Sequence, residues 1–146
     1  MSGPDGRRTI RQGDRDKAYR PLPADARRAA FDAAMAAYAR GEFFEAHELL
    51  EPALMGTDDL EERALHPGLI KVAAAYVHAE RGNPAGVTKN LGGARRHLAG
   101  AGRAAVAYGV DAPALLEAID ARLATLARDD PSPLTSPPTI RRTAPA

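Results

Sequence analysis

Gly68-Leu69-Ile70-Lys71-Val72-Ala73-Ala74-Ala75-Tyr76-Val77-His78 decides the fold of this 146-residue chain. The stretch lies between Pro67 and Gly82-Asn83-Pro84 and is apolar almost all the way round. Such a helix belongs in the middle of its domain, covered by others. Its polar exception is a stripe holding Lys71 and His78. On the C-terminal side, Gly82 closes the helix, Asn83 is an N-cap and Pro84 is the first residue of the next one. That helix, to about Ala99, carries Val87, Leu91, Ala94 and Leu98 on one face. Lys89, Arg95, Arg96 and His97 supply its charge, and it holds no acid. Gly100 and Gly102 end it. Tyr108-Gly109-Val110 then leads to Asp111, the N-cap of a last helix to about Arg128 with a stripe of Leu115, Leu116, Ile119, Leu123 and Leu126.

On the N-terminal side, Pro67 reads as the first residue of the central helix. A short helical segment to Leu65 precedes it, with Asp58 and Glu61 at capping-box spacing. The first helix runs from about Ala24 to Arg40, because Ala30, Phe31, Ala34, Met35 and Tyr38 recur on one face. Gly41 closes it in a left-handed conformation, and Ala there would cost about 1 kcal/mol. Helix two begins near Glu42 with Phe43, Ala46, Leu50, Ala53 and Leu54 on its core face, and Pro52 predicts a kink or an end near Glu51. Arg40-Gly41 and Arg81-Gly82 form a weak internal echo, a helix-turn-helix used twice or turn chemistry alone.

The expected fold is all-α, a compact bundle of about five helices built from helical hairpins, in one domain over residues 21–128. Residues 1–20 are expected to be a disordered basic arm and residues 129–146 a disordered Pro-rich tail, both flexible and dispensable for folding. Composition agrees with this. Aromatics are only 5% of the chain and Ala supplies much of the 45% that is apolar, so helices must approach closely through small side chains. With 20 basic and 19 acidic residues the formal charge is +1. That balance argues against a nucleic-acid partner and against binding to an anionic membrane. Cysteine is absent, which removes disulfides and thiolate metal sites. No apolar run is long enough to span a bilayer, and a cytoplasmic protein is expected.

Chemistry concentrates in Phe43-Phe44-Glu45-Ala46-His47-Glu48-Leu49-Leu50-Glu51. His47 and Glu51 share a face at i and i+4, Glu48 is further round, and Glu45 is on the far side. The segment Glu42 to Glu62 holds eight acids and no Lys or Arg, so one reading pairs it with the basic fourth helix as ion pairs. On that reading His47→Ala and Glu48→Ala lower the melting temperature. A second reading is a divalent metal held by His47, Glu51 and His78. The second His of the HExxH zinc motif is missing, and the Glu45–His47 spacing is not that of di-iron bundles. The third sets Glu48 or Glu51 against His78 or Lys71 as an acid–base pair, Lys71 needing a carboxylate beside it in so apolar a helix.

Two signatures resemble a known family, the domain of unknown function numbered 309, small all-helical bacterial and archaeal proteins. One is Tyr38-Ala39-Arg40-Gly41-Glu42-Phe43-Phe44-Glu45-Ala46-His47-Glu48-Leu49-Leu50-Glu51, similar to the family's turn and aromatic-Glu-Ala-His-Glu helix. The other runs from Gly68-Leu69-Ile70 through His78 to Gly82-Asn83. The resemblance extends from about residue 27 to 118, including Tyr108-Gly109-Val110-Asp111. It implies a helical bundle with no assigned activity. Where the family tends to have Trp shortly after the Glu51-type acid, this chain has Pro52-Ala53-Leu54.

The role these readings favour is a binding or adaptor module with a polar Glu/His cleft formed by Glu45, His47, Glu48, Glu51, Lys71, His78 and Asn83. The ligand or protein partner is unknown, and the chain is expected to be a monomer or small homo-oligomer that needs no cofactor. The alternative is a metal-dependent hydrolase using the Glu-Ala-His-Glu helix and His78.

Overall fold

The computed structural model describes residues 9–12 and 15–143. Among them are six α-helices: α1 (Ala24–Ala39), α2 (Phe43–Met55), α3 (Glu62–Glu80), α4 (Pro84–Leu98), α5 (Gly102–Ala107) and α6 (Ala112–Ala127). The fold is all-α, with the short α5 added to the five helices the sequence predicts. α3 is the central helix, packed against both α2 and α4 and also touched by α5, while α1 pairs with α2 and α4 with α6. Leu69, Val72, Ala73, Ala75 and Tyr76 of α3 are buried, as the apolar run requires.

Small residues set how closely these helices approach. A Cβ at Gly68 of α3 would stand 2.7 Å from Leu98 of α4, and one at Gly93 of α4 would stand 2.7 Å from Lys71 of α3. The α3–α4 seam is therefore notched, and the Lys71 stem lies across the Gly93 notch.

The internal echo has a physical origin in turn chemistry. Gly41 (φ 80°) and Gly82 (φ 70°) are both left-handed. In each turn the residue after the glycine donates its N–H back five residues, Glu42 to the Ala37 carbonyl and Asn83 to the His78 carbonyl, both at 2.9 Å. This is a Schellman closure, which satisfies carbonyls that the helix end leaves open. Asn83 then caps α4 by accepting from Gly86 N–H at 3.1 Å, and Asp111 caps α6 in the same way through Ala114.

Pro67 behaves differently from expectation, and Pro52 does not end its helix. Pro67 does not start a helix; it lies inside α3, which begins at Glu62. The ring costs the bond to the Arg63 carbonyl, but Leu65, His66, Pro67, Gly68 and Leu69 are all buried, and that packing keeps the helix continuous. Pro52 likewise lies within α2, which runs on to Met55 instead of ending at Glu51. The α2 carbonyls find outside donors there, since Arg20 N–H donates to Met55 at 2.8 Å and Leu22 N–H to Gly56 at 3.0 Å. The predicted Asp58 cap is replaced by Asp59, whose Oδ1 accepts from Glu62 N–H at 2.9 Å.

The ends also depart from the predicted arm and tail. Of the expected basic arm, residues 1–8 and 13–14 lie outside the described residues, but Thr9–Gln12 and Arg15–Ala18 pair as an antiparallel hairpin. The Pro-rich stretch after α6 forms a 3-10 turn (Ser132–Thr135) and then runs back along the bundle. Pro133 and Pro138 are buried, Val110 and Arg142 form an antiparallel bridge, and Arg142 pairs with Asp32 of α1 at 2.8 Å. Proline content removed the backbone donors a helix needs, but the aromatic and cationic side chains of α1, α3 and α6 hold this segment through its carbonyls. Residues 144–146, the end of the predicted tail, lie outside the described residues.

Candidate functional site

The residues singled out on α2, α3 and α4 do not converge. Glu45 is exposed and lies 3.8 Å from Arg40 of the preceding turn. Glu48 is 58% exposed, with its Oε1 3.5 Å from His47 Nδ1. His47 is half-buried and stacks on the exposed Phe44 ring at 6.2 Å and 11°, and its Nδ1 makes no hydrogen bond. Glu51 is half-buried on the same helix. Lys71 lies over Gly93; its charge and the burial of His97 together lower the His97 pKa, burial being the larger cause. His78 Nδ1 is 3.0 Å from the Asn83 side chain and sits on Gly86. Asn83 is thus a cap and a support for His78.

Acidic α2 packs on α1 and α3, and basic α4 on α3 and α6, so the expected ion-pair seam between them is not built. Each helix uses its apolar face on α3, and the charges point elsewhere. Among the described residues no three His, Asp or Glu side chains gather closely enough to hold a metal ion. His47, Glu51 and His78 do not form such a group.

A different cluster is assembled at the start of α3. The Glu62 carboxylate accepts from Arg27 Nε at 3.0 Å and from the terminal Arg27 nitrogen at 3.1 Å, a two-pronged pair reaching across from α1. It also accepts from Tyr108 Oη at 2.8 Å and lies 3.1 Å from His66 Nε2. An ionised carboxylate can only accept, so His66 carries its proton on Nε2. His66 is wholly buried. Its ring meets Phe31 edge-on at 5.7 Å and Tyr108 at 5.4 Å, and its Nδ1 has no partner. Arg28 covers the outer face of the Tyr108 ring at 4.8 Å.

These contacts fix the charges. Burial disfavours the Glu62 carboxylate, but hydrogen bonds from His66, Arg27 and Tyr108 outweigh it and hold the carboxyl down at about 2. Burial, then the neighbouring carboxylate, pushes the Tyr108 hydroxyl up to about 12. The hydrogen bond to Glu62 raises Arg27 further, against a smaller effect of burial.

The cluster forms one wall of an open cleft of about 530 Å³, lined by Asp59, Leu60, Glu61, Glu62, Arg103, Ala104 and Tyr108 among others. Glu61 ties its two sides together. Its Oε2 accepts from the Arg103 N–H and, at 3.2 Å, from the Ala104 N–H, so a residue leading into α3 caps α5. Leu60 at the rim is 78% exposed, as is Val106 on α5.

The two signatures now have places in the fold, one on α2 and one spanning α3 and its turn. Residues 31–90 match the model of a family described as a domain of unknown function, DUF309. Over that stretch the chain is similar to the DUF309 family. The match takes in both signatures, together with Glu62 and His66, and is narrower than the resemblance from 27 to 118. Arg27, Tyr108 and the start of the last helix lie outside the DUF309 stretch. No curated protein and no solved structure matches the chain. Among the described residues no helix is long and apolar enough to cross a membrane.

Sequence reasoning missed Arg27, Glu62, His66 and Tyr108 as a group. The available signal was Glu62 and His66 at i and i+4, and it was hidden because Pro67 read as a helix start, leaving His66 in a linker.

Proposed function

We propose that this chain is a small helical binding or adaptor module of the cytoplasm, acting as a monomer or small homo-oligomer, whose polar Glu/His cleft is the one between α3 and α5. The observation that carries this reading is the state of Glu62. Its carboxylate is committed to three neighbouring side chains and held near 2, and its histidine partner is fully buried between Phe31 and Tyr108. A proton donor or acceptor must reach its substrate and exchange protons near the working pH. Glu62 does neither; it fixes the shape and charge of a wall. The exposed Leu60 beside Arg103 gives that wall an apolar and a cationic element, which suits an amphipathic ligand.

A thermal-shift screen of the untagged full chain against small amphipathic compounds and divalent metals tests the proposal. A compound that raises the melting temperature of the wild-type chain, and not of Leu60→Asp, is the expected result. Stoichiometric bound metal that is lost in a folded His47→Ala variant would instead favour the metal-dependent hydrolase using His47, Glu48, Glu51 and His78, and would overturn the binding reading.

A further inference from the structure

The segment after the 3-10 turn lies in a groove whose chemistry is specific. Tyr38 Oη donates to the Pro138 carbonyl at 2.6 Å, Tyr76 Oη to the Ser136 carbonyl at 3.4 Å, and Arg122 Nε to that same carbonyl at 2.7 Å. The groove thus presents donors, and the segment Ser136-Pro137-Pro138 presents carbonyls, its two prolines having no N–H to offer. Between the donors runs a ladder of rings: Tyr38 on Phe43 at 5.3 Å and 70°, then Phe43 on Tyr76 at 5.7 Å. Aromatic faces alternating with hydroxyl donors are what proline-rich recognition grooves use, since such a segment is stiff, apolar along its rings and readable only at its carbonyls. Beside the segment the groove stays open to solvent, as a cleft of about 330 Å³ between Tyr38, Phe43 and residues 137–140.

We propose that this aromatic groove is a recognition site for a proline-rich segment of another protein, and that residues 136–140 occupy it as an internal competitor. The occupant in the structure supplies the template for the partner: a Pro-Pro pair preceded by a small residue and followed within two positions by an aliphatic one, as in Ser136-Pro137-Pro138-Thr139-Ile140. The segment is joined to α6 by a short connection, so its effective concentration at the groove is of millimolar order. A partner gains the groove only when it outcompetes or releases that segment.

The test uses the full chain. In one variant Pro137→Ser, Pro138→Ser and Ile140→Ser together loosen the internal segment without shortening the protein. The probe is a fluorescein-labelled peptide of residues 131–143 with the wild-type sequence, and binding is read by anisotropy. The expected result is binding to the triple variant at least about tenfold tighter than to the wild-type chain. Adding Tyr38→Phe to the triple variant should weaken the peptide severalfold by removing the donor to the Pro138 carbonyl. Equal binding to both chains, or none to a triple variant with intact helical circular dichroism, overturns the proposal. So does loss of helical circular dichroism in the triple variant, which would make the segment part of the fold. A concentration-dependent dimer of the wild-type chain that disappears in the triple variant would assign the groove to a second copy of the chain, and overturns it too.

Discussion

Two pairs of residues in this molecule have the same composition and the same spacing. His47 and Glu51 stand four apart on α2, and Glu62 and His66 stand four apart on α3. The first pair is half-buried beside exposed Glu48 and Phe44, while the second is closed in by Arg27 of α1 and Tyr108 at the end of α5. Helical spacing puts two groups on one face. What that face meets decides whether they become a site. Over Glu62 two further elements bring a guanidinium and a phenol.

The difference can be broken most directly by truncation. Glu62→Ala should cost on the order of 3–5 kcal/mol in urea unfolding, because it leaves Arg27 without its carboxylate in a site where Glu62 is only 12% exposed. A smaller loss, near that of an ordinary surface change, would mean the cluster does not hold α1, α3 and α5 together. Acid should reveal the same group. A Glu62 carboxyl near 2 against an ordinary 4.5 contributes stability that is present above the higher value and lost as pH falls towards the lower one. The size is on the order of 3 kcal/mol. Unfolding curves between pH 5 and about pH 2 should show that loss in the wild-type chain and much less of it in Glu62→Gln.

Asn83 tests a candidate of the first group whose role is now structural. Asn83→Ala should cost about 1 kcal/mol through the lost cap on Gly86 N–H, measurable as a shift of the urea midpoint. Smallest of all, Glu48→Ala should change stability by no more than about 0.5 kcal/mol, since its carboxylate is 58% exposed. If Glu48→Ala rivals Glu62→Ala, the contrast between the two pairs is wrong, and the ion-pair reading of the α2 segment returns.

Much of the bundle was legible because its punctuation is local. Gly41, Gly82, Asn83 and Asp111 act where they stand, and the apolar surround of α3 states its own burial. Pro67 misled, since a proline's preference for a first turn is a local rule and its burial with the four residues around it is not. The Glu62 cluster was illegible for a related reason. Its members at 27, 62, 66 and 108 meet only after three helices have packed, and no spacing along the chain encodes that meeting. The 136–140 segment looked unstructured because its prolines lack donors, a judgement that leaves out what its carbonyls can accept.

The strap across α1 has one more consequence, for the order in which the chain is made. Tyr38 and Pro138 are 100 residues apart. Tyr76 completes the Tyr38–Phe43–Tyr76 row, and at roughly 5–20 residues per second synthesis then takes about 3–12 s to reach Pro138. Through that interval the nascent bundle shows a row of aromatics to whatever binds chains at the ribosome, and only afterwards can its own prolines close over them.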